Sequence, residues 1–252
     1  MKRLPILFFV LALLCFSACH RYDAAEQLLL RADSLSANKP QQALAMLDSF
    51  RPQVENLPRS LRMKYHFLHT RAKDKAYIPI ADDTVMREVA RYYRHHGTAN
   101  QAAEATYLLG GVYRDRGESP QALDIYLEAT EQADTTRSDC DYGLLARIHG
   151  QMAELYEKQF HPYLTLEEAE KSMYYALKDK DTVSYYIFMG NKCAAYSFLS
   201  KDDSVRITSE KMYQGQHEKG NELLAATSLF SALYICLKQG DIEKGGGISS
   251  YL

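Results

Sequence analysis

The residues that come nearest to a chemical site are histidines. His66 and His69 stand three apart, and His95 and His96 are adjacent. On a helix the first pair would share one side, as a metal site requires. A bound metal needs three or four converging ligands, and no carboxylate or cysteine stands at matching spacing around either pair. The doublets Asp82-Asp83 and Asp202-Asp203 could form an acid/base couple. Each lies at a predicted helix start, where carboxylates accept from free N–H groups and complement the helix dipole, so capping is expected. There is no G-x-S-x-G, no H-E-x-x-H and no phosphate-cradling glycine loop. The expectation is a chain with no catalytic centre, no metal and no cofactor.

Cys19 is different. "MKRLPILFFVLALLCFSAC" opens with Lys2 and Arg3, runs apolar from Leu4 to Phe16, and narrows to Ser17 and Ala18 before Cys19. An apolar run of about thirteen residues has secretory-signal length and falls short of the roughly twenty that span a bilayer. Phe16-Ser17-Ala18-Cys19 resembles the lipobox of bacterial lipoproteins, with Phe16 in place of the usual leucine. The resemblance implies that Cys19 is acylated and becomes the first mature residue. Cys15 is a poorer candidate, since bulky Leu14 precedes it. Residue 20 is His rather than Asp, so the inner-membrane retention rule of some bacteria is not met. The implied location is the cell envelope, lipid-anchored at the outer membrane, with the side left open.

Of 30 Lys and Arg against 32 Asp and Glu, removal of Lys2 and Arg3 leaves 28 basic groups, a formal charge of −4. Such a balance gives no electrostatic footprint for nucleic acid. Cys140, Cys193 and Cys236 are too few and too scattered for a disulfide framework, although one bridge between two of them stays open. Cys193 and Cys236 sit among apolar helical residues, as small buried thiols do.

The elements that would position any site repeat. Tyr113, Tyr156, Tyr196 and Tyr234 recur at intervals of about forty residues, each late in a helical segment. In "YLLGGVYRDRGESPQALDIYLEA" (107–129), Leu109, Tyr113, Leu123 and Tyr126 fall at helical spacing. Gly110, Ala122 and Ala129 are small enough for two helices to approach closely. Gly117 should end the first helix, with Ser119 as N-cap and Pro120 at the first position of the next. This pattern resembles the tetratricopeptide repeat (TPR), with Leu109, Gly110, Tyr113, Gly117, Ala122, Tyr126 and Ala129 at family positions and Thr106 departing from the usual aromatic. Weaker units follow at Met152, Ala153, Tyr156, Ala169, Met173 and Ala176, then at Cys193, Tyr196, Val205 and Met212, then at Phe230, Ser231 and Tyr234. Thr165 and Glu168 read as a capping box.

Upstream, 39–50 reads as the second helix of a hairpin, and 61–77 with 83–97 as another pair, with Asp83 as N-cap and Gly97 as C-terminal cap. No stretch alternates long enough for a strand. The fold class is therefore all-α, an α-α superhelix of about five or six hairpins. The expected organisation is a leader over 1–18, irregular hairpins over 19–100, TPR-like repeats over 101–240 and a frayed or cut-short tail over 241–252, where Gly245, Gly246 and Gly247 oppose a helix. The order of features resembles repeat lipoproteins of Bacteroides-type bacteria.

In such arrays the first helix of each hairpin lines the concave side. The register places Glu104, Tyr107, Gly111 and Arg114 there, then Arg147, Gln151, Glu154 and Lys158, then Ile187 and Asn191. Some TPR proteins hold a terminal carboxylate in a Lys, Arg and Asn clamp; Arg114, Arg147 and Asn191 supply only part of that set. A mixed-charge face of this kind suits a protein or peptide partner. The doublets Tyr92-Tyr93, Tyr174-Tyr175 and Tyr185-Tyr186 should each split between core and rim. The expected function is a membrane-anchored, non-catalytic scaffold. The alternatives are the sensor part of a signalling receptor cut before its output domain, and a glycan-binding surface lipoprotein, which the absence of tryptophan disfavours.

Overall fold

The computed structural model describes residues 22–239. The lipobox with Cys19 and the 241–252 tail lie outside these residues, as does the side chain of Cys236. Eleven α-helices are present among the described residues, with no strand: α1 Asp23–Ser36, α2 Pro40–Phe50, α3 Arg59–Lys75, α4 Thr84–His96, α5 Ala99–Asp115, α6 Ser119–Gln132, α7 Tyr142–Lys158, α8 Pro162–Lys178, α9 Thr182–Phe198, α10 Asp202–His217 and α11 Glu222–Gln239. A 3-10 turn, Arg51–Asn56, follows α2. None of the described helices is long and apolar enough to cross a membrane. The chain divides into two compact units, one ending at Ala122 and one beginning at Leu123.

Spacing explains the helices. In α1 the buried residues are Ala25, Leu29, Ala32 and Ser36, and in α2 Ala43, Leu47 and Phe50, each set stepping by three or four along one face. The first unit closes its core with Met63, Leu68, Met86 and Leu108. The second does so with Tyr126, Leu144, Leu145, Ile148 and Met152, and Cys193 packs with Val205 further on. Cys140 and Cys193 are free thiols.

The tyrosine markers have a structural meaning. After α5, Gly117 takes φ +78, its N–H reaches the Arg114 carbonyl, and the Glu118 N–H reaches the Tyr113 carbonyl. That pair of bonds is a Schellman cap, in which glycine adopts the left-handed conformation at little cost. The same two-bond pattern recurs with His161 on Tyr156 and Lys201 on Tyr196, so each marker offers its carbonyl to a helix end. At those later ends Phe160 (φ 58) and Ser200 (φ 53) occupy the left-handed position instead of glycine.

Two expected caps are corrected and two hold their positions. The capping box lies at Thr98 and Gln101, not at Thr165 and Glu168, because Pro162 starts α8 three residues early and leaves Thr165 bonding back to the His161 carbonyl. Ser119 is already helical, and the carbonyl of Glu118 accepts the first bond of α6. Asp83 holds the N-cap position of α4, as expected, but its carboxylate meets Arg87, Arg116 and Tyr113, while the Asp82 carboxylate accepts from the Thr84 N–H at 2.9 Å. Gly97 is the C-cap of α4, as expected, in an extended conformation with its N–H on the Tyr93 carbonyl. The tyrosine doublets divide as the helix turn requires: Tyr93 is buried with Tyr92 half-buried, and Tyr174 is exposed with Tyr175 half-buried. Tyr185 and Tyr186 are both half-buried, so that pair does not split.

Candidate functional site

The first unit ties its candidate residues into its own framework. Arg71 of α3 reaches Asp33 of α1 and Glu104 of α5, both at 2.6 Å, and lies 4.5 Å over the Phe67 ring. Three helices are joined by one guanidinium, whose planar donors suit two carboxylates at once. The Tyr107 hydroxyl donates to Asp74 at 3.3 Å, and Arg114 pairs with Asp115 at 2.8 Å and approaches Asp74 at 3.5 Å. Glu104, Tyr107 and Arg114 therefore do cross-helix structural work, and Gly111 packs beside Asp74 and Arg114.

His66 and His69 do not make a metal centre with their surroundings. His69 Nε2 lies 3.0 Å from Asp48 of α2, and burial pushes both imidazoles below their usual value. No group of three or more metal-capable side chains occurs among the described residues.

In the second unit the candidates are differently placed. Arg147, Gln151, Glu154 and Lys158 follow one another along α7, with Glu154 and Lys158 exposed and Arg147 and Gln151 half-buried. Asn191 of α9 donates to the Gly150 carbonyl of α7 at 3.4 Å. The ring of Phe188 fills the place that a side chain at Gly150 would need, so glycine there sets how close α9 comes to α7. Arg147 forms no ion pair, and its buried Nε has no hydrogen-bond partner. It stands in the field of Asp179 and Asp181 without bonding either. Burial, together with repulsion from Asp141 and Asp181, raises the Asp179 carboxyl, against which Arg147 acts. Asp181 is also raised by burial, but hydrogen bonds from Ser184 outweigh this and hold it low.

The opposite side of α7 carries a feature that sequence reasoning missed. His149 lies two residues, about 200°, around the helix from Arg147. His149 is only 8% exposed, and its Nδ1 meets Glu168 of α8, itself 5% exposed, at 2.6 Å. Tyr175 stacks on the imidazole at 5.4 Å and 10°. Burial alone would raise Glu168, but hydrogen bonds from His149 and Lys171 outweigh it and keep the carboxyl below its usual value. The ionised carboxylate therefore accepts, and Nδ1–H donates. The pair floors a hollow of about 850 Å³ walled by Leu127, Leu145 and Tyr174. The signal lay in register: Thr165, Glu168, Ser172 and Ala176 step along the buried side of α8.

No protein-family model matches the chain, and no curated protein matches it. Among solved structures, the apo form of RapI superposes with a TM-score of 0.73 at 12% identity, covering 91% of this chain and 64% of RapI. A Rap protein complexed with Competence and Sporulation Factor gives 0.61 at 13%, covering 90% and 64%. A kinesin light chain-type protein of Podosopora anserina, built of nearly identical TPR-like repeats, gives 0.57 at 13%, covering 79% and 98%. The fold is TPR-like. This chain thus spans somewhat under two thirds of the Rap proteins' length and nearly the whole of the TPR-like array. At these identities the similarity concerns the fold. The TPR-like hairpins are the elements that hold Arg147 and Asn191 on one side of α7 and α9, and His149 and Glu168 on the other.

Proposed function

We propose that this chain is a non-catalytic TPR-like scaffold, tethered to the bacterial envelope by a lipid on Cys19, that binds an extended segment of a protein partner. The binding face is the run of Arg147, Gln151, Glu154 and Lys158 on α7 with Asn191 on α9. One observation carries this reading. The guanidiniums of Arg71 and Arg114 are paired with carboxylates, whereas that of Arg147 makes no ion pair among the described residues. A guanidinium has five N–H donors, and a peptide carbonyl or carboxylate laid along α7 would satisfy those left open. The Rap structure solved with Competence and Sporulation Factor supports the reading, since that similar fold holds a ligand.

The test is crosslinking in living cells from photoreactive residues at positions 154 and 158 of the acylated chain, with mass spectrometry of the adducts. One protein crosslinked from both positions, and lost with Arg147→Glu, is the expected result. Adducts that are indifferent to Arg147→Glu would refute the assignment of this face. Anchoring is tested separately: Cys19→Ser should move the chain from the membrane fraction to the soluble one.

A further inference from the structure

The hollow beneath His149 has more negative charge than its own surroundings balance. Glu131, Glu167, Glu168 and Glu170 contribute four carboxylates. Lys171 bonds Glu167 at 2.8 Å and Glu168 at 2.7 Å, and Lys192 bonds Glu170 at 2.7 Å, while Glu131 makes no ion pair. With Lys178 over the Tyr174 ring, three ammonium groups stand against four carboxylates, and one negative charge is left unbalanced. Glu131, Glu167 and Glu170 form an exposed acidic rim, and only at the buried Glu168 does water screen an incoming positive charge weakly.

A second observation points to a ligand independently of that charge. The His149 side chain is only 10% exposed, yet only Nδ1 is engaged, by Glu168. With Nδ1–H committed to the carboxylate, Nε2 offers a lone pair to the hollow, and no group among the described residues bonds it. Nε2 is thus an oriented acceptor that opens onto the hollow. The walls supply the rest. Tyr174 is 54% exposed and presents a ring that Lys178 Nζ already approaches at 5.5 Å, a distance typical of a cation over an aromatic face. Leu127 and Leu145 give apolar surface below the carboxylates.

We infer that this hollow receives a lysine side chain carried by an extended segment of a partner protein, its ammonium donating to His149 Nε2 and to the glutamates and its stem lying on Leu127 and Tyr174. The compact ammonium, with three freely rotating donors, matches one deep acceptor ringed by carboxylates better than the planar fork of arginine does. The stem of four methylenes is long enough to cover apolar wall while its head reaches the polar floor. A hollow of about 850 Å³ also accommodates the neighbouring residues of the segment. This assignment rests on the reading that the chain binds a protein partner, and it adds a second contact on the other side of α7.

The test is fluorescence anisotropy of fluorescein-labelled hexalysine with the full chain in neutral detergent. Binding should weaken at least tenfold in E131Q/E167Q and about three- to tenfold in Tyr174→Ala, all at exposed positions that leave the core intact. The charge-matched control E26Q/E218Q should change it less than twofold. Equal weakening by the control, hexa-arginine binding as tightly as hexalysine, full competition by equimolar spermidine, or no binding of hexalysine would each overturn the assignment. Those results leave the Arg147 crosslinks untouched, so the two readings fail separately.

Discussion

Replacing Gly150 by alanine sets two effects of opposite sign against each other. Inside an exposed helix the change would stabilise by about 1 kcal/mol, because glycine loses more backbone freedom on folding. In α7, however, the new Cβ would lie 2.5 Å from Phe188 Cε1 and 2.9 Å from Cδ1. Ordinary contact begins near 3.4 Å, so the ring or α9 itself must yield by about 0.9 Å. Overpacking of that order costs about 1–3 kcal/mol. The net expectation for Gly150→Ala is a loss of about 1 kcal/mol. Gly190→Ala, in α9 of the same unit, meets only the flexible end of Met212 at 3.7 Å and should gain about 1 kcal/mol. Urea unfolding followed by circular dichroism should separate the two variants by about 2 kcal/mol, with unchanged slopes. In the Gly150→Ala background, Phe188→Ala should cost about 2 kcal/mol less than alone, since it then relieves the overlap. If Gly150→Ala stabilised as much as Gly190→Ala, the idea that this glycine sets the approach of α9 would be wrong, and with it the placement of Asn191 beside α7.

Two further outcomes follow from the ion pairs. Arg71→Met should destabilise the first unit by about 3 kcal/mol in the same unfolding assay, because it strands Glu104, whose side chain is only 16% exposed. Adding Glu104→Gln should recover more than half of that loss; no recovery would mean that packing over Phe67, not charge, dominates. Glu168 has a folded value below the ordinary 4.5, so the stability it contributes is fully present above about that pH and is lost as pH falls through the lower folded value. Glu168→Gln should thus be less stable than the parent by about 1–3 kcal/mol at pH 7, with the gap closing in acid. A gap that stayed constant down to pH 3 would contradict the charged pairing.

Much of the architecture was readable because helices declare themselves locally. The spacing of Leu109, Tyr113, Leu123 and Tyr126 requires two helices with apolar faces, and Gly117 requires the turn between them. The tyrosine markers predicted the helix ends at 115, 158 and 198 to within two residues. Caps were read less well. Pro162 and Thr165-Glu168 both signal a helix start, and which one wins depends on whether Glu168 is needed elsewhere. Asp83 does stand at a helix N-cap, but the partners of its carboxylate, Arg87, Arg116 and Tyr113, lie too far along the chain for local spacing to foresee them all.

The chain's own order of residues determined an all-α TPR-like array, its approximate period, and the register that set Arg147 and Asn191 apart as candidates, since these depend on contacts three, four and about forty residues away. Tertiary structure alone decided which charged groups remain available. Arg71, Arg114 and Arg147 are indistinguishable as residue types, yet two are occupied by carboxylates from other helices and one is not. His149 and Glu168 are nineteen residues apart on different helices, and only packing buries them together at 2.6 Å. The physical reason is the same in each case: helix formation is a short-range property, whereas the pairing of charges depends on where whole helices come to rest.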